Sequence, residues 1–559
     1  MSLLSLSYFL FSLFLVGFGQ PAWIPLNGLI AAVVGFAFFW RILLDIPSKK
    51  KRFFLSMLWF FGIQLIQLSW FLSHPYAYIY GVYLFLALIC AVQFGLIGLF
   101  ITEKNLSILN LLGIASLWTL FEWSRLYYLS GLSWNPSGLS LAGSIYALQA
   151  ASIGGVFALS FWVFFTNLLA LRCWIEWEKH GAGKWSYSTL WALAALAPYF
   201  YGAIQLNKHQ AAEGTDTLSV LLVQPAFPVE EVASSASFNQ LVGVVTEEWE
   251  QLLHLLKKQQ HASLDLIVMP EYVVPLGTYN FVYPLQTVLK HFARQFGAES
   301  LMHLPPLTLP YCATQNSPSG IQLLVNNAYW AQGIANLFQA DLLIGLEDAG
   351  LGEERECYSA ALLFHPFSYE QFPDRYEKRV LVPLGEYIPF EFCAQLAARY
   401  GVFSSFTPGK EAKVLRNSKG VLLSPSICYE ETFGHLIREG RQKGAGLLAN
   451  LSSDVWYPNS KLPRQHLEHA RLRTVENGIP LIRSCNTGIT AAIDSLGRDV
   501  ALLGGEHPER VEWVADILPV KLPLYAYHTL YSIVGDTLIV GISLFFSTLL
   551  VFQLIKKRL

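Results

Sequence analysis

Residues 421–431 read Val-Leu-Leu-Ser-Pro-Ser-Ile-Cys-Tyr-Glu-Glu, with the cysteine at position 428. A β-forming run that leads directly into a reactive side chain is typical of a strand that ends at the edge of a sheet. The same pattern is compatible with an inert core cysteine, because a nucleophilic thiol needs a lowered pKa or an adjacent base. The stretch therefore predicts a strand, and a catalytic role for Cys428 would need partners from elsewhere in the chain.

Two other segments carry ionisable side chains after apolar runs. The segment 265–271, Asp-Leu-Ile-Val-Met-Pro-Glu, ends in Glu271, and the segment 376–386, Tyr-Glu-Lys-Arg-Val-Leu-Val-Pro-Leu-Gly-Glu, contains Lys378 and Glu386. Taken singly, Glu271 is compatible with a solvated loop and Lys378 with an edge strand protected by basic residues. None of the three segments identifies a site by itself.

Short β-forming runs alternate with polar, helix-compatible stretches between about residues 210 and 530. This alternation predicts a sheet-forming α/β domain, and several runs are apolar throughout, as expected of strands covered on both faces. Functional groups at strand ends favour a site along one sheet edge. The predicted strands are 218–223, 264–269, 341–346, 359–364, 421–427, 446–449, 481–484 and 489–493.

The remainder of the 559-residue chain is poor in charge. Overall, 53% of residues are hydrophobic and only 14% are charged, which is typical of a membrane protein. A formal net charge of −2 gives no basic field of the kind that nucleic-acid binding requires.

Eight apolar runs are long enough to cross a hydrocarbon core of roughly 30 Å. They are 3–18, 22–40, 53–72, 77–101, 106–121, 149–171, 189–206 and 532–555.

The basic residues predict how these runs cross the membrane. Residues 49–52 and 556–558 are basic clusters that should face the cytoplasm. The first run lacks a basic leader and a cleavage site, so we expect a retained span rather than a signal peptide. Both termini are then cytoplasmic, and the expected domains are 1–210 with seven helices, 211–530 outside the membrane, and 531–559 with one helix.

Few ionisable residues lie within the apolar runs. Glu122 and Asp536 are near span ends, whereas transporters usually need charged groups at mid-membrane. The apolar helices therefore predict a membrane anchor rather than a transport pathway.

Seven cysteines occur without a CxxC pair or metal-like spacing, so we expect no disulfide framework, no metal site and no cofactor. They are Cys90, Cys173, Cys312, Cys357, Cys393, Cys428 and Cys485.

Taken together and in this order, the segments of Glu271, Lys378 and Cys428 resemble the nitrilase superfamily. The chain as a whole resembles the bacterial apolipoprotein N-acyltransferase family over nearly all of its length. The words that carry the resemblance are Lys-Arg-Val-Leu-Val-Pro-Leu-Gly-Glu-Tyr-Ile-Pro at 378–389, Ile-Cys-Tyr-Glu at 427–430, Gln-His-Leu at 465–467, Pro-Leu-Ile-Arg-Ser at 480–484 and Asn-Thr-Gly-Ile-Thr-Ala at 486–491.

The resemblance implies a four-layer αββα domain outside the membrane and a two-step transfer of an acyl chain. Glu271 would be the general base, Cys428 the nucleophile that forms a thioester, and Lys378 the cation that stabilises each oxyanion. The donor would be a membrane phospholipid, and the acceptor the α-amino group of a diacylglyceryl-modified apolipoprotein. The resemblance also implies a bacterial inner-membrane protein with a periplasmic catalytic domain.

Other residues match positions that the family uses in supporting roles, namely Glu386, Tyr429 and Glu430. Trp456 either contacts substrate or packs in the core. The chain departs from the family at 453–458, where Ser-Asp-Val-Trp-Tyr-Pro replaces Asn-Asp-Ala-Trp-Phe-Gly, and at 357–359, where Cys-Tyr-Ser replaces Tyr-Asn-Ser.

The stretch 281–339 is longer than the resemblance predicts, and it is compatible with a lid, a partner-binding insertion or a surface elaboration. Two rival functions stay open at this point. One is a membrane-tethered nitrilase-type amidase that uses water as acceptor. The other is a transporter or scaffold whose outer domain is inactive.

Overall fold

The computed structural model describes residues 2–128, 130–181, 185–209, 216–228, 237–317, 320–349, 356–369, 372–389 and 406–556. Cys393 and the last two basic residues, Lys557 and Arg558, lie outside these ranges. The chain divides into two compact units. A helical unit contains Met1–Glu213, Tyr457–Gly478 and Tyr527–Leu559, and an α/β unit contains Gly214–Trp456 and Ile479–Ala526.

Every apolar run predicted from the sequence forms a helix in the helical unit, because a helix satisfies its own backbone groups where water is excluded. Five helices are long and apolar enough to cross a membrane: Pro25–Leu44, Tyr78–Gly98, Ala151–His180, Ser186–Lys208 and Thr537–Lys556. Leu3–Gly17 and Ile108–Ser124 are shorter, with 15 and 17 residues. Lys49–Gln67 begins with four basic residues.

Shorter helical elements complete this unit. They are the π-helical turn Ala31–Gly35 within Pro25–Leu44, the 3₁₀ segments Ser69–Ser73, Glu103–Asn105, Arg125–Tyr127 and Ser137–Gly143, and the helices Ile145–Leu148, Leu462–Asn477 and Leu530–Val534. The helix Trp185–Lys208 begins one residue before the apolar portion given above.

The helix Ala151–His180 is broken near its start. Gly154 and Gly155 have non-helical backbone angles, and Gly155 has φ of +68°, which a glycine adopts without penalty. Past the break, the amide of Val156 donates to the Glu476 carboxylate at 2.9 Å. Glu476 belongs to the helix Leu462–Asn477, so this late segment of the chain satisfies a backbone group that the break exposes.

The α/β unit contains fifteen strands among the described residues. They are β1 (Thr217–Gln224), β2 (Leu266–Val268), β3 (Tyr283–Pro284), β4 (Cys312–Ser317), β5 (Gly320–Val325), β6 (Asp341–Ala349), β7 (Cys357–Phe364), β8 (Asp374–Glu377), β9 (Leu415–Arg416), β10 (Leu422–Ile427), β11 (Leu447–Ser452), β12 (Leu481–Cys485), β13 (Ala491–Ile493), β14 (Asp499–Leu502) and β15 (Asp516–Pro523).

Two six-stranded sheets form the centre of this unit. Their strand orders are β15-β1-β2-β6-β7-β8 and β14-β13-β12-β11-β10-β9. In each sheet three central strands are parallel, β1-β2-β6 and β10-β11-β12, and the outer pairs are antiparallel. Buried side chains from both sheets, such as Leu222, Val268, Ile427 and Leu451, form one apolar core between them.

Helices cover the outer faces of the sheets. Phe238–Lys257, Leu285–Phe296 and Asn327–Phe338 share a second apolar core with the first sheet. Gly434–Gln442 lies on the second sheet, where Gly440 approaches Ser424 of β10 so closely that a Cβ would not fit. The remaining 3₁₀ segments are Ala298–His303, Cys428–Thr432 and Pro508–Arg510. The chain thus has a helical region with five candidate membrane spans and an α/β region in which helices cover two packed sheets.

All eight predicted strands are confirmed, with ends shifted by three residues or fewer. The sequence did not predict seven strands: β3, β4 and β5 between β2 and β6, and the outer strands β8, β9, β14 and β15. The four outer strands are short or polar, and β15 contains two prolines and a lysine. β15 forms because it pairs antiparallel with β1 over eight residue pairs. Since β1 is about 300 positions earlier in the chain, no local sequence pattern indicates this pairing.

The long stretch 281–339 is mainly the connection between the parallel strands β2 and β6. Parallel strands need such a crossover, and its helices Leu285–Phe296 and Asn327–Phe338 contribute Phe292, Trp330 and Ile334 to the apolar core. The hairpin β4–β5 is an addition to the crossover, and Ile321 near its turn is 76% exposed.

Candidate active site

Glu271 follows the buried strand β2 by three residues and is held against β6. The amide of Val273 donates to the Gly345 carbonyl at 3.0 Å. A Cβ at Gly345 would lie 2.5 Å from the Pro270 oxygen and 2.6 Å from the Glu271 Cα, so this approach requires glycine. The Glu271 side chain is only 9% exposed. The fold therefore buries Glu271 just beyond the carboxyl end of a parallel strand, rather than leaving it in a solvated loop.

Lys378 lies between two carboxylates. Its Nζ is 2.7 Å from Glu271 Oε1 and 2.5 Å from Glu386 Oε1, and its side chain is fully buried. The other oxygen of Glu386 accepts a hydrogen bond from the Val382 amide at 2.9 Å, within the turn that joins Lys378 to Glu386. Glu386 is thus oriented by its own turn and holds the ammonium group beside Glu271.

Cys428 follows β10 directly, and its backbone has φ of +52°. A non-glycine residue in this region is strained by about 1–3 kcal/mol, and such strain is concentrated at functional sites. The thiol donates to the Glu271 carboxylate, and Sγ lies 3.9 Å from the Ser453 carbonyl oxygen. The structure therefore brings Glu271, Lys378, Glu386 and Cys428 together in one cluster.

Glu430 ties the cysteine turn to the lysine segment. Its side chain is buried, and its two oxygens accept four hydrogen bonds from these two segments. The donors are Ile427 N (2.8 Å), Tyr376 OH (2.9 Å), Arg379 N (2.6 Å) and Val380 N (3.1 Å). Because these bonds occupy both oxygens, Glu430 acts as a positioning residue for the backbone on either side of the cluster.

Burial and charge shift the pKa of Glu271, Lys378 and Cys428. Burial raises the pKa of Glu271, and the Lys378 ammonium opposes this rise. Burial alone would lower the pKa of Lys378, but Glu271 and Glu386 raise it well above its ordinary value. The pKa of the Cys428 thiol is raised by burial and by the Glu271 carboxylate, with Lys378 acting in the opposite direction. The resting site therefore holds a neutral thiol and a charged lysine beside Glu271.

A second buried network lies beneath the cysteine turn. Arg483 of β12 pairs with Glu431 and Asp454, and its Nη1 donates to Asn450 Oδ1 at 3.0 Å. Asn450 in turn donates to the Cys428 carbonyl at 3.3 Å. Sequence reasoning did not single out Arg483 or Asn450 for a role, although Arg483 lies in one of the words that carry the family resemblance. Charged or amide residues within otherwise apolar strands are the signal that would have identified them.

The other two predicted residues flank the cluster. The ring of Tyr429 packs edge-to-face against Phe433, with centroids 4.9 Å apart. Trp456 is 38% exposed and is three residues after Ser453, whose carbonyl faces the Cys428 thiol. Trp456 is therefore not one of the buried core residues.

Comparisons with known proteins agree with this architecture. Residues 12–169 match the family described as "Apolipoprotein N-acyltransferase N-terminal domain", and residues 236–517 match "Carbon-nitrogen hydrolase". An apolipoprotein N-acyltransferase of Chlamydia pneumoniae is 33% identical over 549 residues, which cover 94% of this chain and 93% of that protein.

A second relative and a solved structure extend the comparison. An apolipoprotein N-acyltransferase of Chlamydia trachomatis is 30% identical over 558 residues, covering 95% of this chain and 93% of the relative. A crystal structure of a nitrilase-superfamily protein from Saccharomyces cerevisiae aligns with a TM-score of 0.34 and 16% identity, covering 55% of this chain and 90% of that one.

Proposed function

The chain belongs to the apolipoprotein N-acyltransferase family, and from that premise we propose that it moves an acyl chain from a membrane phospholipid to the α-amino group of a diacylglyceryl-modified apolipoprotein. It is an N-acyltransferase of the nitrilase superfamily. The observation that carries the proposal is the contact of a thiol, a carboxylate and an ammonium group in Cys428, Glu271 and Lys378.

In the first half-reaction Glu271 takes the proton of the Cys428 thiol, and the thiolate attacks the ester carbonyl carbon of the phospholipid. The carbonyl oxygen becomes an oxyanion, which the Lys378 ammonium stabilises. Collapse of the intermediate breaks the ester bond and expels the alkoxide of the lysophospholipid. This alkoxide takes the proton from Glu271, so the step ends with a Cys428 thioester and an ionised Glu271.

The second half-reaction uses the same groups in reverse order. The neutral α-amine of the acceptor attacks the thioester carbonyl, and Glu271 takes a proton from the nitrogen as the carbon–nitrogen bond forms. The oxyanion again lies beside Lys378. Collapse expels the Cys428 thiolate, which takes the proton from Glu271, so an amide is released and the resting site is restored.

Burial explains why three groups are needed. A buried thiol beside a carboxylate resists ionisation, since its pKa is raised, and the thiolate forms only as the proton moves to Glu271. Lys378 supplies a positive charge at no cost during reaction because Glu271 and Glu386 already hold it charged. We assign Glu386 and Glu430 to positioning, Tyr429 to packing of the cysteine turn, and Trp456 to substrate contact.

A transfer assay with labelled phospholipid tests this function against the hydrolytic alternative. Membranes that contain the full chain are given a phospholipid labelled in its acyl chain, with or without a peptide that bears an N-terminal diacylglyceryl-cysteine. We expect the label to reach the peptide in an amide, stable to hydroxylamine, and little free fatty acid to appear. Release of the label mainly as free fatty acid, in the presence of the peptide, would instead identify a tethered amidase or esterase that uses water.

The same proposal includes the membrane arrangement. We propose eight spans, in which Leu3–Gly17, Lys49–Gln67 and Ile108–Ser124 join the five long apolar helices, with domains at 1–210, 211–530 and 531–559. Both termini are cytoplasmic, and the catalytic domain lies in the periplasm of a bacterial inner membrane. A multi-pass chain agrees with the proposed function because both proposed substrates are anchored in a bilayer.

Reporter fusions test this orientation. Alkaline phosphatase, which is active only outside the cytoplasm, is fused after residue 50, 74, 104 or 136. Activity is expected for the fusions at 74 and 136 and not for those at 50 and 104, because alternate loops face opposite sides. A fluorescent protein at the C-terminus should fold and fluoresce. Phosphatase activity from the fusion at 104 would refute the proposed threading.

A further inference from the structure

A second polar group lies next to the catalytic cluster. Glu347 of β6 accepts hydrogen bonds at both of its oxygens, from the Tyr272 hydroxyl at 3.2 Å and from the Cys357 thiol at 3.1 Å. Cys357 is the first residue of β7 and one of the departures from the family pattern. Neither the transfer chemistry nor the fold requires this arrangement, so it calls for its own explanation.

Backbone geometry places Glu347 at the edge of the catalytic cluster. Gly345 approaches the Glu271 Cα, and residues two apart on a strand face the same side at a spacing of about 7 Å. Tyr272 directly follows Glu271 in the chain. Across the sheet Glu347 pairs with Ser359, whose carbonyl accepts the Lys378 amide at 2.8 Å. Glu347 therefore neighbours Glu271 on one side and the Lys378 segment on the other.

Accessibility distinguishes this group from the catalytic residues. Lys378 is fully buried and Glu271 nearly so, whereas Glu347 is half-buried and Tyr272 is 42% exposed. Phe406, half-buried, has its ring centroid 6.3 Å from that of Tyr272, and its amide donates to the Glu386 carbonyl at 2.9 Å. These side chains form a partly open rim around the deeper cluster.

Charge at this rim is unbalanced. Glu271 and Glu386 share Lys378, and Asp348 and Glu377 share Arg375. Within the ranges that the structure describes, Glu347 has no Lys, Arg or His nitrogen within 4.0 Å. An ionised carboxylate has about four acceptor positions, and Tyr272 and Cys357 use two of them. The geometry suits a cationic donor that approaches from the open side.

A primary ammonium group matches this rim in charge, size and hydrogen bonding. It has three donors, and it binds favourably to the faces of aromatic rings as well as to carboxylates. The thiol of Cys357 stays protonated and donates to Glu347, since burial and the hydrogen bond to Glu347 raise the pKa of Cys357 to about 12. Cys357 is therefore part of the carboxylate's support rather than a competing nucleophile.

We propose that Glu347, supported by Tyr272 and Cys357, binds the primary ammonium group of a lipid substrate at the mouth of the catalytic centre. This inference rests on the proposed function. Two lipid substrates carry this chemistry: the acceptor, through its α-amino group, and a phospholipid donor with an ethanolamine headgroup. The subsite would hold the charged nitrogen in place until the reacting carbonyl or amine meets Cys428.

Kinetics of the two half-reactions test the proposal with the full chain in lipid–detergent micelles. Glu347→Gln removes the charge and keeps the shape, Glu347→Asp keeps the charge, and Glu299→Gln changes an exposed carboxylate elsewhere in the same unit. Acyl-enzyme formation is measured with phosphatidylethanolamine and with phosphatidylglycerol, and transfer is measured with a diacylglyceryl-cysteine peptide. Loss of a charge-assisted hydrogen bond should raise the KM of the ammonium-bearing substrate about ten-fold.

Two results would support the subsite and identify its ligand. If only the KM of the peptide rises in Glu347→Gln, and Glu347→Asp restores it in part, the α-amino group binds there. If acylation slows only with phosphatidylethanolamine, the headgroup binds there. Constants within two-fold of wild type, or equal slowing with both donors, would overturn the inference and leave the transferase function standing. A wild-type chain that never transfers label would instead refute the function and the inference with it.

Discussion

Replacing Cys428 with alanine is expected to abolish both the acyl-enzyme adduct and the transfer of acyl chains to an amine. The thioester forms on Sγ, and no other described thiol donates to Glu271 or lies beside Lys378. Because the nucleophile and its base act together, loss of the nucleophile should lower kcat by about 10⁴-fold or more. Alanine tolerates the positive φ of this position no worse than cysteine, so the fold should persist.

The measurement is direct. Membranes with wild-type or Cys428→Ala protein are incubated with labelled phospholipid, and the protein is examined for label that hydroxylamine removes. Cys312→Ala, which replaces a buried thiol at the start of β4, is the matched control and should retain the adduct. If Cys428→Ala still carries hydroxylamine-sensitive label, Cys428 is not the nucleophile.

Replacing Lys378 with methionine should damage both activity and stability. Glu271 and Glu386 would then be buried side by side without the cation that both now contact. Acyl-enzyme formation should fall about 10²–10³-fold from loss of oxyanion stabilisation alone. Removal of one partner from a buried ion pair typically costs about 3–5 kcal/mol of unfolding free energy. Lys290→Met, on the exposed side of the helix Leu285–Phe296, is the matched control.

The stability loss in Lys378→Met should depend on pH in a defined direction. Burial already raises the pKa of Glu271 in the folded protein, and without the ammonium this pKa rises further. A carboxyl group whose pKa is higher in the folded than in the unfolded protein stabilises the folded protein at pH values below the unfolded-state pKa. This stabilisation is lost as the pH rises through the folded-state pKa. The Tm of the variant should therefore be closest to the Tm of wild type at acid pH, and the difference between the two should grow as the pH increases. A deficit that is constant from pH 5 to pH 8 would contradict this account.

Much of the catalytic architecture was predictable because the relevant strands are short apolar runs with a chemically active residue just beyond them. Glu271 after β2 and Cys428 after β10 follow this rule, but β2 and β10 lie in different sheets, so the packing of the two sheets on each other brings the two side chains together. The contact of Lys378 with two carboxylates was harder to predict. It depends on the turn from Val382 to Glu386, in which a backbone amide orients the carboxylate, and no local pattern encodes that geometry.

Long-range contacts account for what the sequence could not predict. Arg483 and Glu431 are 52 positions apart, and their pairing under the cysteine turn depends on β10, β11 and β12 lying side by side. The partnership of Glu347 with Tyr272 and Cys357 likewise needs the register of β6 against β7. No local sequence pattern names the partners of these side chains, so their roles could be assigned only from the structure.

The hydrogen bond from the Val156 amide, in the broken helix Ala151–His180, to the Glu476 carboxylate also constrains the order in which the chain folds during synthesis. Glu476 follows Val156 by 320 positions, and synthesis at roughly 5–20 residues per second makes it available on the order of 15–60 s later. Until then the amide of Val156 must find another partner in the nascent chain or its surroundings. Final assembly of the helical unit therefore waits until most of the α/β unit has been synthesised, so the two units mature together rather than one after the other.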